Sequence, residues 1–350
     1  MASHDETRNG TLRSIISGGR RAVPLAGGGD AVRETRLGPR EDLPLVIEPA
    51  GGDLDLVSWT ESHRDRISRL LLGHGALLFR GFHLDGAAEL ERCVRALSGD
   101  ALDYTFRSTP RREVGGKIYT STEYPQDQAI PMHNEMSYTR TWPRKIWFYA
   151  RAVAEAGGET PLADSRQVFA AIPPAVRERF MRFGVMYVRN YGGGIDLPWQ
   201  EVFQTDDRSA AAAYCREHGI ELEWRGADEL RTRQVCQATA IHPETGEDLW
   251  FNQAHLFHVS GLDPELARML LGERGEGGLP RNAYYGDGAP IDDEALRAVR
   301  AAYERRQVTF PWRQGDVLLL DNMLVAHGRR PYSGSRSVVV GMAEAWSEPS

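Results

Sequence analysis

Cysteine and runs of like charge are scarce in this chain. Only three cysteines occur among 350 residues, at positions 93, 215 and 236, which is too few and too scattered for a disulfide framework or a cysteine-rich zinc site. We expect reduced, mostly buried thiols. The formal net charge is −7, and no basic block could follow a phosphate backbone, so a nucleic-acid partner is not expected.

Long apolar runs and several common catalytic motifs are also missing. No stretch approaches the roughly 20 apolar residues that span a bilayer, and residues 1–20 lack the apolar core of a secretory signal. The expectation is a cytoplasmic protein with no membrane partner. The phosphate-binding patterns GxxxxGK[ST] and GxGxxG and the serine-hydrolase pattern GxSxG are absent, so nucleotide-binding and serine-hydrolase functions have no support.

Short β-rich segments instead crowd the second half of the chain. They lie at 146–150, 185–188, 234–241, 249–252, 308–310, 316–322 and 337–345. Many short strands between Gly/Pro turns favour a mainly β fold with flanking helices, a sandwich or jelly roll, over alternating βαβ units. Residues 1–41 lack apolar periodicity and are predicted to be flexible or irregular, and 42–350 to form a single domain.

Helices are predicted between these strands and before them. Ser58 and Glu61 fit a capping box for a helix that ends near Gly73, and Asp85 fits the N-cap of a helix over 85–98. Pro173 and Pro174 should split 165–183 into two helices. Further helices are expected over 205–218 and about 292–305.

The motif His133-Asn134-Glu135 can carry metal chemistry. On an extended chain, residues i and i+2 point to the same side about 7 Å apart, so His133 and Glu135 could chelate one ion; alternatively they form an exposed polar pair. His327 follows the apolar segment 316–322, and two histidines with one carboxylate are the ligand set of many Fe(II) oxygenases. Arg336, nine positions later, could clamp a carboxylate through two hydrogen bonds.

Six segments, in this order, resemble the TauD/TfdA superfamily of Fe(II)- and 2-oxoglutarate-dependent dioxygenases, and within it the SyrP-like branch. They are GALLFRGF (75–82), YTSTEYP (119–125), HNEMSY (133–138), GGETPLADSR (157–166), WFNQAH (250–255) and DNMLVAHGRRPYSGSR (321–336). The resemblance implies a double-stranded β-helix (a clavaminate synthase-like jelly roll) that uses Fe(II), 2-oxoglutarate and O2. It also implies that His133, Glu135 and His327 bind iron, and that Arg336 binds the distal carboxylate of 2-oxoglutarate with help from Thr160.

The resemblance also implies a reaction. Related halogenases carry a small residue where this chain has Glu135, so hydroxylation of an unactivated C–H bond is expected, at the β-carbon of an amino acid or a carrier-tethered aminoacyl unit in specialised-metabolite biosynthesis. The partner would then be a small amino-acid substrate or an aminoacyl carrier protein. One alternative is desaturation or cyclisation of a free small molecule. Another is a non-catalytic jelly-roll protein that binds Zn(II) or a ligand.

Candidate substrate contacts come from polar residues beyond the iron motif. Asn252 and Gln253 either face a substrate or satisfy buried backbone groups. Arg189 and Asn190, with the glycines at 192–194, form either a closing lid or an ordinary loop. His242, His255 and His258 are predicted to be structural.

Val340 occupies the place where some superfamily members carry a second arginine for an anionic substrate. We therefore expect an aminoacyl group whose carboxylate is masked as a carrier thioester, because an unpaired carboxylate in a closed pocket is costly to desolvate. Arg107, Arg144 or Arg189 could supply the missing charge instead.

Overall fold

The computed structural model describes residues 31–347 apart from 39–42, 105, 107–110, 123, 193–195 and 227. Its strands are β1 Val32–Thr35, β2 Leu45–Pro49, β3 Ala76–Phe79, β4 Glu113–Gly115, β5 Ile118–Thr120, β6 Ile130–His133, β7 Trp142–Ala152, β8 Ala156–Gly157, β9 Leu162–Asp164, β10 Val185–Tyr191, β11 Glu221–Trp224, β12 Leu230–Cys236, β13 Thr239–Ile241, β14 Asp248–Trp250, β15 Arg281–Tyr285, β16 Val317–Asp321, β17 Val325–Arg329, β18 Tyr332–Ser333 and β19 Ser337–Trp346. Its α-helices are α1 Leu56–Ser62, α2 Arg64–His74, α3 Ala87–Ser98, α4 Ser165–Ala171, α5 Pro174–Phe183, α6 Trp199–Phe203, α7 Arg208–Glu217, α8 Ala254–Phe257, α9 Pro264–Arg274 and α10 Asp293–Arg306.

A large sheet forms the centre of the molecule, with strand order β1-β2-β3-β16-β7-β19-β5-β4. Successive side chains on a strand point to opposite faces, and this sheet buries both. Trp147 of β7 packs in one cluster with Leu56 of α1 and Leu90 of α3. Its neighbour Phe148 packs in another cluster with Leu162 and Val325. Helices therefore cover one face, and further strands cover the other.

The strands on that second face form the small sheet β6-β17-β9. Leu162 of β9 and Val325 of β17 share a buried cluster with Leu318 of β16 and Val340 of β19. Two sheets packed face to face over one apolar layer make a jelly roll. The expected mainly β architecture with flanking helices is confirmed.

A second layer of structure lies beyond the small sheet. The antiparallel sheet β11-β12-β10-β15 shares a core with the helices α4, α5, α7, α8 and α10. Phe180, Trp250 and Tyr285 meet edge to face in this core, with ring centres 5.0 Å apart in both pairs that Phe180 makes. This layer supports the backs of the strands that carry the candidate site.

The first two helix starts differ from the predictions. Asp55, not Ser58, caps α1, because its carboxylate accepts the backbone N–H of Ser58 at 2.7 Å. Gly86, not Asp85, is the N-cap of α3. The helix α2 passes Gly73 and ends at Gly75, whose φ of 74° is a left-handed conformation suited to glycine. A Cβ at Gly75 would also lie 2.6 Å from Val325.

Other predicted elements are confirmed in part. Prolines 173 and 174 separate α4 from α5 as expected, whereas the predicted helix over 205–218 begins only at Arg208, after the cap Asp207. The predicted strand over 234–241 is two strands, β12 and β13, and the segment 308–310 makes only a single bridge, through Val308 to Leu162. The three cysteines are buried and unpaired, as expected.

The predicted N-terminal segment 1–41 is partly ordered. Residues 1–30 and 39–41 of it lie outside the described residues, but β1 (Val32–Thr35) pairs antiparallel with β2. The prediction of an irregular segment is therefore wrong for this strand, because Val32 is buried at the edge of the large sheet. Among the described residues no helix is both long and apolar enough to cross a membrane. The cytoplasmic location stays a prediction.

Candidate metal centre

Three predicted ligand residues meet on the small sheet. The strands β6 and β17 are antiparallel neighbours in which His133 lies opposite His327, and their ring centres are 4.6 Å apart. Glu135 follows just beyond the end of β6. One ligand atom from each of His133, Glu135 and His327 lies within 4.8 Å of the other two. Within the described part of the chain, this is the one group of His, Cys, Asp or Glu side chains so placed.

A bulge beside His327 shapes this strand pair. The register shifts between His327, opposite His133, and Arg329, opposite Ile130. Gly328 sits at the shift, where a Cβ would lie 2.7 Å from the carbonyl oxygen of Ile130. Bulges re-aim side chains next to functional sites, and here only glycine permits the approach of the two backbones.

Both imidazoles are held in the form that binds metals. Nδ1 of His133 lies 2.8 Å from the carbonyl oxygen of Pro131, so Nδ1 carries the proton and Nε2 keeps its lone pair. Burial lowers the pKa of His133 below its usual value, although the charge of Glu135 acts in the opposite direction. Burial, and then the charges of His133 and Arg111, lower the pKa of His327 well below its usual value. Neutral imidazole is the ligand form.

The carboxylate of Glu135 is bound by Arg111, which the sequence analysis missed. Nη2 of Arg111 donates to Oε2 of Glu135 at 2.6 Å, and both side chains are only 4% exposed. The same nitrogen lies 3.3 Å from Oγ1 of Thr122, and the guanidinium lies 4.6 Å above the centre of the Tyr104 ring. One carboxylate oxygen of Glu135 is thus occupied by a cation, while the other remains for a metal.

The backbone around Glu135 is fixed by Asn322. Oδ1 of Asn322 accepts the N–H of Glu135 at 2.7 Å, and Nδ2 donates to the carbonyl oxygens of Glu135 and Pro143 at 2.9 and 2.8 Å. In return, Nδ2 of Asn134 donates to the carbonyl oxygen of Asn322 at 2.6 Å. These bonds tie the first ligand segment to the turn before β17, which carries His327.

The two histidines open into a cleft between the two sheets. Its walls combine apolar side chains with three arginines. The lining includes Ile130, Phe148, Val338 and Val340, together with Thr160, Arg111, Arg329 and Arg336. Phe148 meets His327 edge to face at 5.1 Å.

Arg336 is a half-buried cation in this cleft. Its Nε donates to the carbonyl oxygen of Gly158 at 3.0 Å; among the described residues it forms no salt bridge, although the charge of Glu159 acts on it weakly. Burial, and then the nearby charge of Arg329, lower the pKa of Arg336 to about 10. Thr160 accepts a hydrogen bond from Nε1 of Trp312 at 3.1 Å, which leaves its own hydroxyl proton for a ligand. A site with these donors suits a carboxylate.

Arg329 is already engaged. Its guanidinium donates to the carbonyl oxygens of Tyr124, Pro125 and Gln128 at 3.1, 2.6 and 2.8 Å. These bonds fasten the loop between β5 and β6 to the strand that carries His327. Arg329 therefore shapes the cleft through that loop.

The three predicted substrate residues do not reach the cleft. Asn252 uses both halves of its amide on backbone groups, donating to the carbonyl oxygen of Ala238 and accepting the N–H of Ala254. Arg189 is buried beside Asp196, and Asn190 donates to two backbone carbonyls in the segment 277–279. The contacts of these three residues lie within the second layer of structure, and their substrate role stays a prediction.

The other candidate cations and histidines also lie elsewhere. Arg144 pairs with Glu244 and stacks over Trp346, while Arg107 and residues 193 and 194 lie outside the described residues. The three histidines that were predicted to be structural have hydrogen-bond partners within the protein, as expected. His242 meets Asp321 at 3.1 Å, His255 meets the carbonyl oxygen of Met132 at 2.9 Å, and His258 meets Ser260 at 2.9 Å.

Comparison with known proteins decides the family. The family model described as "Taurine catabolism dioxygenase TauD, TfdA family" matches residues 39–342. The chain belongs to the TauD/TfdA family. Membership confirms the expected superfamily and enzyme class, a dioxygenase that uses Fe(II) and 2-oxoglutarate. The assignment to the SyrP-like branch stays a prediction.

Individual relatives agree with this family. The chain is 42% identical to the dapdiamide synthesis protein DdaC of Enterobacter agglomerans, over 79% of this chain and 84% of that protein. It is 29% identical to a clavaminate synthase-like protein of Arabidopsis thaliana, over 86% of this chain and 93% of that protein. Among solved structures, PvcB from Pseudomonas aeruginosa aligns with a TM-score of 0.55 at 17% identity, covering 93% of this chain and 97% of PvcB. This last likeness supports the jelly-roll fold.

Proposed function

We propose that this TauD/TfdA dioxygenase hydroxylates an unactivated C–H bond, at the β-carbon, of an amino acid or a carrier-tethered aminoacyl unit in specialised-metabolite biosynthesis. The observation that carries the proposal is the convergence of His133, Glu135 and His327 to within 4.8 Å, beside a cleft that both histidines line. In this proposal these three side chains hold Fe(II), while Arg336 and Thr160 hold the distal carboxylate of 2-oxoglutarate.

The residues present fit this cofactor. Two neutral imidazoles and one carboxylate bind Fe(II) on one face and leave the opposite positions open. When bound, iron and 2-oxoglutarate together with O2 supply the oxidising chemistry that breaks a C–H bond. The buried side chain of Glu135 argues for hydroxylation over halogenation, because it fills the position that a halide would need.

The protein's own contribution is to position and to exclude water. Arg111 and Asn322 fix the side chain and the backbone of Glu135, so the ligand geometry is set before any metal arrives. Arg336 and Thr160 present donors at the other end of the cleft. Phe148, Val338 and neighbouring apolar side chains keep water from the space between these ends.

The proposed substrate class draws on the relatives and on Val340. DdaC is described as a dapdiamide synthesis protein, and PvcB as an oxygenase from an isonitrile synthetic pathway; both descriptions support specialised metabolism. Val340 lies buried in the wall of the cleft, where it cannot pair with a carboxylate. This favours a substrate whose carboxylate is masked as a carrier thioester.

A substrate screen tests the proposal. The purified protein is given Fe(II), 2-oxoglutarate and O2 with each amino acid, either free or loaded on a phosphopantetheinyl carrier protein, and succinate and products are followed by mass spectrometry. The expected product gains one oxygen atom at the β-carbon in step with succinate, and His327→Ala should abolish both. Loss of two hydrogens instead would indicate desaturation or cyclisation. Rapid, well-coupled turnover of a free amino acid would contradict the carrier-bound assignment.

A further inference from the structure

Arg111 has more hydrogen-bonding capacity than its contacts within the protein use. A guanidinium has five N–H donors on three nitrogens. In this chain Nη2 donates to Glu135 and lies near Thr122. The other two nitrogens, Nη1 and Nε, are buried and have no hydrogen-bond partner among the described residues.

Such unused donors indicate a missing oxygen ligand. A buried donor without a partner costs stability, and more so when it belongs to a charged group. Arg111 lines the same cleft as His133, His327 and Arg336. Among the described residues its carboxylate partner is Glu135, which is itself a candidate metal ligand, so Arg111 lies one carboxylate away from the metal position. An oxygen-bearing ligand bound to that metal is therefore within reach.

Charge balance points in the same direction. Arg111 and Glu135 form a neutral pair, while Arg329 and Arg336 each add one positive charge to the cleft without a salt bridge in the described structure. A divalent metal would add two more. A dianion neutralises half of this excess of four charges, and each of its two carboxylates would need a cationic partner.

We propose that Arg111 binds the 1-carboxylate of the 2-oxo acid cosubstrate: Nη2 holds Glu135, and one of the two nitrogens without a partner, Nη1 or Nε, donates a hydrogen bond to an oxygen of the 1-carboxylate. The proposal rests on the proposed iron and 2-oxoglutarate site. Arg111 and Arg336 then divide the cosubstrate between them, Arg111 taking the end next to the metal and Arg336 the distal end.

Calorimetric titration tests this without any turnover. The protein is saturated with Mn(II), which takes the place of Fe(II), and titrated with 2-oxoglutarate or with 2-oxobutyrate, which lacks the distal carboxylate. Arg111→Lys keeps the charge but loses the fork, and Arg111→Met loses both. Arg281→Lys is the matched control, because Arg281 also pairs with a carboxylate, Asp196, but on the sheet outside the cleft.

The two arginines should give different signatures. Arg111→Lys should lower the affinity for both 2-oxo acids by about 10-fold or more, which is the loss expected for a hydrogen bond to a charged group. Arg111→Met should lower both affinities further. Arg336→Lys should weaken 2-oxoglutarate alone. If Arg111→Met does not fold, Arg111→Lys decides the question.

Two results would overturn the proposal. One is an affinity of the Arg111→Lys protein for 2-oxoglutarate within twofold of the Arg281→Lys control. The other is a lower affinity for 2-oxoglutarate with an unchanged affinity for 2-oxobutyrate, which would assign the contact of Arg111 to the distal carboxylate. Neither measurement depends on the primary substrate, so a failure to detect hydroxylation leaves this test intact.

Discussion

Replacement of Asn322 by alanine should uncouple the two segments that carry the metal ligands. The carboxamide makes three hydrogen bonds to buried backbone groups, the N–H and C=O of Glu135 and the C=O of Pro143. Each buried polar group left without a partner costs about 1–3 kcal/mol. Asn322→Ala should therefore lower the free energy of unfolding of the metal-free protein by about 3 kcal/mol or more.

The same change should weaken metal binding. Glu135 would keep Arg111 on its carboxylate but lose the restraint on its backbone, and removal of a residue that orients a ligand typically costs about 10- to 100-fold in metal affinity. Urea unfolding followed by circular dichroism measures the stability, and calorimetric titration with Mn(II) measures the affinity.

The matched control is Asn190→Ala. Asn190 also donates two hydrogen bonds to backbone carbonyls, at 3.2 and 2.6 Å, but it lies on β10, away from the cleft. The Asn190→Ala protein should have a lower free energy of unfolding and an unchanged affinity for Mn(II). A folded Asn322→Ala protein with a Mn(II) dissociation constant within twofold of wild type would refute the reasoning.

Three further predictions follow from single contacts. Arg336→Lys should raise the KM for 2-oxoglutarate about 10-fold or more, because an ammonium cannot make the paired hydrogen bonds of a guanidinium; an unchanged KM in a succinate assay would move the role to another cation. Trp312→Phe removes the donor that orients Thr160 and should weaken 2-oxoglutarate by about 5-fold, the worth of about one neutral hydrogen bond, so calorimetry showing unchanged affinity would count against Thr160. Burial lowers the pKa of His255 to about 3, while this histidine has a pKa of about 6.5 in the unfolded chain. Between these two values the unfolded state binds one more proton than the folded state. The free energy of unfolding therefore decreases as the pH is lowered through this window, by up to about 1.4 kcal/mol per pH unit. His255→Gln should lose less stability than wild type between pH 6.5 and 4.5 in urea unfolding, and equal losses would contradict the assignment.

Local spacing was enough to predict two of the three ligand residues. His133 and Glu135 are two residues apart, and an extended interval of that length was expected to place both on one side; in the structure His133 ends β6 and Glu135 lies in the turn that follows. His327 could be added because the chemistry of Fe(II) calls for a second histidine and the sequence offers one after an apolar strand. The structure brings all three together as expected.

The residues that hold Glu135 could not be predicted in the same way. Arg111 lies before β4, outside the helices and strands, and its contact with Glu135 spans 24 positions. Asn322 belongs to a segment that carried the family resemblance, but its contact with Glu135 spans 187 positions. No local pattern specifies such a pairing, since the fold of the whole sandwich creates it.

Polar residue type alone could not place the candidate substrate contacts. Asn252, Arg189 and Asn190 looked suited to a polar ligand, but each is buried against backbone groups or Asp196. An amide or guanidinium has the same chemistry in a core as in a cleft. Only the position of its partners separates the two roles, and those partners come from distant segments.

The most direct test of the central claim is the visible absorption of the anaerobic protein with Fe(II) and 2-oxoglutarate. A 2-oxo acid bound to Fe(II) through two atoms gives a weak charge-transfer band, which a zinc or purely structural site cannot give. We predict this band in the wild-type protein and its loss in His133→Ala, Glu135→Ala and His327→Ala. A wild-type protein without the band, or a His327→Ala protein that keeps it at full intensity, would contradict the account.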